Sequence, residues 1–397
     1  MTRAARGLVL LLAGAACAGG PPPSAPLPRS AALADRLAPA IAVLDSAIAA
    51  GAAPGAVLAV SVRGERFTYG TGRMGMEDAR VPDATTVYDM ASLTKVIALT
   101  TVAMQAVERG LLDLDAPVVR YLPDFARGEG PKDRVTVRDL LLHDSGLPAH
   151  RRLWEETIVR KGGILRAITS DLEQAPGERM VYSDMGAITL TAILEQLHGT
   201  TIDQIFARDI AAPLGLTRSR FTPPGAWRTV IPPTEFDPWR GRMLHGEVHD
   251  ENTGRLEGRS GHAGLFASAD DLLRFGEWAL AGVLGRPGNA TIAPPASFAA
   301  WTLRQDRPIG SSRALGWDTP SGRSSAGTLM SARSFGHTGY TGTSIWTDPT
   351  RELVVILLTN RVHPTRVTPK FTPLRPLIAD AVVKSLFPDA TPRPDAL

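Results

Sequence analysis

The chain has 397 residues, 44% of them hydrophobic, enough to build one large core or two of middle size. Its 43 basic and 40 acidic side chains give a formal charge of +3 and are spread along the chain. No basic run of the kind nucleic-acid binders carry is present, so nucleic acid is not an expected partner.

The N-terminus reads as an address. Arg3 and Arg6 precede an apolar run from Gly7 to Ala16, too short to span a bilayer as a helix, and this pattern predicts an export signal over residues 1–17. The single cysteine, Cys17, ends it after Gly14-Ala15-Ala16, as in a bacterial lipoprotein site, although Gly14 stands where leucine is usual. The expectation is a protein outside the cytoplasm, periplasmic or otherwise exported, either attached to a membrane through a lipidated Cys17 or released by a conventional signal cut nearby. With one thiol no intramolecular disulfide can form, so packing alone must hold the fold. Residues 18–30 begin with "AGGPPPSAPLPR", a Pro-rich linker without a fold of its own.

A single catalytic domain is expected over residues 31–389. Ser30 to Ala50 carries apolar residues at helical spacing, and "AVLAVSVRGERFTYGTGR" alternates as two strands with a turn at Gly64-Glu65. Ser92 to Arg109 is small and apolar all round, which predicts a helix buried on most sides. Helical pieces follow at "VTVRDLLLH", "SDMGAITLTAILEQLHG" and "TIDQIFARDIAAPLGL". Thr222 to Gly261 reads as long loops and "SADDLLRFGEWAL" as another helix. "FGHTGYTGTSIWTDPTRELVVILLTNR" reads as neighbouring strands, and a final helix runs near Pro373 to Phe387. Strands at both ends and helices between them predict an α+β fold: one antiparallel sheet from the N- and C-terminal segments, flanked by helices, with a mainly helical insertion at about 110–260.

Three short constellations carry chemistry. Ser92 and Lys95, at i and i+3, share a helix face within hydrogen-bonding reach. Lysine can take the serine proton if its pKa is lowered, and the apolar surroundings would do this by burial; the plainer reading is a capping serine with an exposed lysine. Tyr182 and Asp184 in "VYSDMG" precede an apolar helix, where Asp184 is equally an N-cap or first-turn acid. "GHTGYTGTS" places His337, Thr338 and Gly339 on a glycine-broken strand, where a ligand or another backbone comes close.

Taken in order and spacing, these motifs resemble the serine β-lactamase and penicillin-binding-protein superfamily, with its S-x-x-K, second polar triplet and K-T-G. The resemblance is nearest to the class C β-lactamase-related branch, which holds D-alanyl-D-alanine carboxypeptidases, esterases and penicillin-binding protein 4B-like hydrolases. "LLLHDSGLP", "GHAGLFASADDL" and "LLTNRVHPT" support it. It implies an acyl-enzyme on Ser92, proton transfer shared by Lys95 and Tyr182, and a catalytic place for His337. It also implies an oxyanion hole from the backbone N–H groups of Ser92 and Tyr340, with Asp184, Thr338 and Gly339 at the substrate.

Two departures stand out. Asp184 replaces a common asparagine, and a carboxylate there would hold Lys95 as ammonium unless it pairs elsewhere. His337 replaces lysine, so selection for a substrate carboxylate should weaken unless Asp184 keeps the imidazole charged. His245, His249 and Asp250 in "MLHGEVHDENTG" could be read as zinc ligands, cleft-mouth residues with Asn252, or loop hydrogen-bonding groups; His262 is similarly ambiguous. H-E-x-x-H is absent and the catalytic set needs no metal, so no metal or other cofactor is expected. The expected function is an exported serine hydrolase of cell-wall type D-amino-acid peptides or small esters, with peptidoglycan as a partner. The alternatives are a β-lactamase and, from a different class, a non-catalytic penicillin-type binding or sensor protein.

Overall fold

The structure is a computed structural model that describes residues 29–286 and 292–396. The export segment, Cys17 and nearly all of the Pro-rich linker lie outside the described residues.

Eight strands form the two sheets that matter for the site: β1 (Gly55–Val62), β2 (Glu65–Gly72), β3 (Val87–Asp89), β4 (Arg220–Phe221), β5 (Leu265–Ser268), β6 (Phe335–Thr338), β7 (Ser344–Asp348) and β8 (Leu353–Thr359). The larger sheet has the order β2-β1-β8-β7-β6 with every neighbouring pair antiparallel, so N- and C-terminal segments do share one sheet. The hairpin turn falls at Arg63-Gly64, one residue before the predicted place. Both residues have positive φ, 51° and 85°, as a tight two-residue turn between twisted strands requires.

Side-chain alternation divides the core. On β1, Val57 and Ala59 face one cluster while Ala56, Leu58, Val60 and Val62 face another. Helix α1 (Ala31–Ala49) lies on the second face beside the C-terminal helix Leu374–Leu386, with Leu33, Leu37 and Leu44 fully buried. The first face packs on α2 (Ala269–Val283), whose Leu272, Leu273 and Phe275 join the larger cluster. Because β1 is covered on both sides, all eight of its residues are buried.

The smaller sheet, β3-β5-β4, was not legible as a sheet, because its strands are two to four residues long and come from three distant segments. It supports the turn that leads to Ser92. The segment read as loops, Thr222 to Gly261, contains a short hairpin, Phe236–Asp237 with Arg242–Met243, and the helix Glu251–Arg255 capped by Asp250. The expected helix from Ser92 starts as a turn, is π-helical over Lys95–Thr100 and becomes α-helical over Thr101–Glu108. Such wide turns occur often at functional sites.

Candidate active site

Ser92 sits at the end of a strained approach. Ala91 before it has φ 44°, a left-handed conformation that alanine rarely adopts. Asp89, buried at the end of β3, holds the turn: one carboxylate oxygen accepts the Ala91 N–H at 2.8 Å and the other the His249 N–H at 2.6 Å. The Thr341 hydroxyl donates to the Asp89 carbonyl at 2.7 Å and Thr343 to the Met90 carbonyl at 3.1 Å, which ties the turn to the loop after β6. A Cβ on Gly339 would collide with the Met90 carbonyl and the Thr343 hydroxyl, so only glycine allows this approach.

Ser92 is no cap. Its hydroxyl accepts a hydrogen bond from the Lys95 ammonium at 3.2 Å instead of serving the helix N–H groups. Lys95 is buried and also donates to the His262 carbonyl at 3.0 Å and to Asp184 Oδ1 at 2.7 Å. The sequence reading, in which burial lowers the lysine, is corrected here. Burial does oppose the charge, but the Asp184 carboxylate, together with Tyr182, outweighs it and holds Lys95 above the usual ammonium range. Burial likewise opposes the Asp184 charge, and Lys95, with His150 at 3.8 Å, overcomes it and holds that carboxyl well below its usual range.

Asp184 is the first residue of the helix Asp184–His198, and the N-cap is Ser183, whose hydroxyl accepts the Gly186 N–H at 3.0 Å. Asp184 lines the cleft with Ser92, and its Oδ1 is occupied by the Lys95 ammonium.

Tyr182 lies with its ring 4.8 Å from the Lys95 nitrogen, and its buried hydroxyl has no hydrogen-bond partner. The His143 ring, from "LLLHDSGLP", packs against it tilted at 40° with centroids 4.5 Å apart and accepts the Ser183 N–H on Nδ1 at 3.1 Å, which places the tyrosine. Burial, and then Arg313 and Lys95, keep His143 well below the ordinary histidine value.

His337 on β6 is also neutral. Its Nδ1 pairs with the Thr338 carbonyl at 2.8 Å, so that nitrogen carries the proton, while Nε2 is buried and without a partner. Burial first, then Arg313 and Lys95, push it well below the usual range. Asp184 therefore does not keep His337 charged. Thr338 and Gly339 line a cavity of about 300 Å³ with Ser92, Tyr182 and His337. Among the described residues, the backbone N–H groups of Ser92 and Tyr340 donate to no protein group.

The second histidine group divides. His245 binds the carbonyls of Arg228 and Ile231 at 2.8 and 2.7 Å and serves the loop. His249 pairs with Glu235 at 2.8 Å and stacks on Tyr340 at 5.8 Å. His262 pairs with Asp250 at 2.9 Å. His249, Asp250 and His262 line a second cavity of about 510 Å³ with Ser92, Asp184 and Trp154, whereas Asn252 binds the Arg151 carbonyl at 2.8 Å. Sequence reasoning missed Asp89, His143 and Arg313. His143 lies inside a quoted phrase and Asp89 just before the Ser92 helix, and only Arg313 had no signal around it.

An antiparallel sheet from both termini, flanked by helices, with a serine–lysine pair beside its edge strand, defines the β-lactamase and transpeptidase class of fold. Comparison agrees: residues 40–379 match the family described as Beta-lactamase. A putative D-alanyl-D-alanine carboxypeptidase of Salmonella agona (strain SL483) is 31% identical over 334 residues, 77% of this chain and 75% of that protein. Among solved structures, EstCE1, a hydrolase with promiscuous acyltransferase activity, superposes with a TM-score of 0.71 at 23% identity over 89% of this chain and all of that one. A penicillin-binding protein homolog from Caulobacter crescentus gives 0.71 at 20% identity over 88% of this chain and 98% of that one. The chain belongs to the β-lactamase family, and it has the fold of that family's serine hydrolases.

Proposed function

We propose that the protein is an exported serine hydrolase that forms an acyl-Ser92 intermediate on D-amino-acid peptides of cell-wall type or on small esters. The observation that carries this reading is the Ser92 hydroxyl held 3.2 Å from a buried ammonium that Asp184 fixes, beside an unpartnered Tyr182 hydroxyl.

The Lys95 ammonium orients the Ser92 oxygen by donating to it. As Ser92 attacks the carbonyl carbon, its proton passes to the Tyr182 oxygen and the tyrosine's own proton moves to the leaving nitrogen or oxygen. The free N–H groups of Ser92 and Tyr340 receive the oxyanion, each such donor contributing about 3 kcal/mol to the transition state. Water then releases the acyl group. The carboxypeptidase name of the Salmonella relative supports the peptide class, and the neighbour described as a hydrolase with promiscuous acyltransferase activity supports acyl transfer on this fold. The N-terminal signal pattern supports export, and recovery of the protein from the cytoplasm of fractionated cells would contradict it.

Ser92→Ala should lower turnover of p-nitrophenyl butyrate at least 1,000-fold, on the order of other serine nucleophile deletions, with thermal stability near wild type. Unchanged turnover would remove Ser92 from the mechanism.

A further inference from the structure

His249 serves the walls of the site twice, and the chemistry above calls on neither use. Its backbone N–H donates to one oxygen of Asp89 at 2.6 Å, and the other oxygen of that carboxylate takes the N–H of Ala91, the residue before Ser92, at 2.8 Å. Its ring stacks on Tyr340 with centroids 5.8 Å apart and planes at 25°. The residues whose backbone N–H groups would receive the oxyanion, Ser92 and Tyr340, are thus joined through one side chain, above the bond from the Thr341 hydroxyl to the Asp89 carbonyl.

Tyr340 needs such a hold. It sits in a turn closed by the Gly342 N–H on the Gly339 carbonyl at 3.1 Å, and two glycines make that backbone permissive; Gly342 has φ 112°. The tyrosine side chain is 49% exposed, and its ring is held between His249 and the Arg361 guanidinium, 4.5 Å away. His249 is buried and itself anchored. Its Nε2 donates to Glu235 at 2.8 Å, and the same carboxylate accepts the backbone N–H and the Nε of Arg366, both at 2.7 Å. Burial opposes the Glu235 charge, but His249 and Arg366 outweigh it and bring that carboxyl down to about 2. An ionised carboxylate only accepts, so the imidazole cannot turn away from Tyr340 without giving up a charge-assisted bond. Oxyanion donors act only where they meet the developing charge, so a small displacement of the Tyr340 N–H is felt in the transition state and little in the ground state.

We infer that His249 is a positioning residue for the oxyanion hole: held by Glu235, it ties the turn that presents Ser92 to the ring of Tyr340 and so fixes the separation of the two donors. The inference rests on the acyl-Ser92 reading and adds to it a residue that acts through Tyr340.

The test compares His249→Ala with His249→Phe, which keeps a ring against Tyr340; the backbone N–H to Asp89 survives in both. In His249→Ala, kcat/KM for p-nitrophenyl butyrate should fall about 10- to 100-fold. The inhibition constant of phenylboronic acid, whose adduct on a serine oxygen copies the tetrahedral intermediate, should rise by a similar factor. Binding of the uncleaved ester, measured in a Ser92→Ala background, should weaken less than about threefold. His249→Phe should recover most of the lost kcat/KM. Ester binding weakened as much as boronate binding, boronate binding left unchanged, or a His249→Phe no better than His249→Ala overturns the assignment. Should the wild type neither cleave the ester nor bind the boronate, the acyl-serine reading fails, and hydrogen exchange decides separately on His249. Exchange of the Gly339 and Gly342 amides at least about fivefold faster in His249→Ala, and slower again in His249→Phe, supports the tie; equal exchange in all three proteins refutes it.

Discussion

The two cavities that meet at Ser92 are built on opposite electrostatic plans. On one side every acid has a partner: Asp184 with Lys95 at 2.7 Å, Asp250 with His262 at 2.9 Å, and Glu251 with Arg366 at 2.8 Å. On the other side three arginines face a single carboxylate already bound to a hydroxyl and an amide. A closed set of ion pairs fixes geometry, because each paired charge resists displacement. The paired side therefore positions the nucleophile, and the excess of positive charge on the other side helps burial to keep His337 neutral.

Breaking the paired side should have the larger effect. Asp184→Asn leaves Lys95 buried without its counter-ion, which should cost about 3 kcal/mol of stability at pH 7 and lower turnover roughly 10- to 100-fold. The sign with pH follows from the two shifts. Asp184 is lowered in the folded state, so its contribution is present above the ordinary carboxyl value near 3.8 and is lost as pH falls below it. Lys95 is raised, so its contribution is complete through the neutral range and is lost only at strongly alkaline pH. The stability gap between wild type and Asp184→Asn should thus be full at pH 7 and shrink as the solution is acidified below about pH 4. With burial unopposed, the alkaline limb of the variant's pH–rate profile should move to lower pH. Unchanged melting temperatures across that range would show that the pair does not hold the site.

A smaller effect is expected from His337→Lys on the unpaired side. A new ammonium there is opposed by burial and by the like charge of Arg313. The preference for a carboxyphenyl over a phenyl ester should then change by less than about tenfold. A larger gain would show that the lysine missing from position 337 sets that preference by itself.

The same contrast explains what could be read from the sequence. The paired side is made of residues in dense local patterns: Ser92 and Lys95 one turn apart, Tyr182 and Asp184 at a helix start. The outer helices and the β1–β2 hairpin were legible for a similar reason, since period and turn chemistry are local. What those patterns conveyed only conditionally was the sense of the Lys95 shift, because it depends on whether a carboxylate 89 residues away pairs with that lysine. Arg313 was invisible because an arginine in "PIGSSRALGW" has the look of a solvated loop charge. Only the closure of β6 against the 313–318 turn buries it. Asp89 was missed because its partners, His249 and Ala91, are contributed by a loop and by a strained turn that no periodicity announces.

The account as a whole depends on a covalent bond to one atom. Intact-mass analysis after parallel incubation with a penicillin, a peptidoglycan stem peptide and a simple ester tests it most directly. The prediction is a mass increase equal to the acyl group of at least one of these, mapping to the peptide that contains Ser92 and absent in Ser92→Ala. An unmodified chain that still turns over substrate, or an adduct that survives in Ser92→Ala, would contradict it.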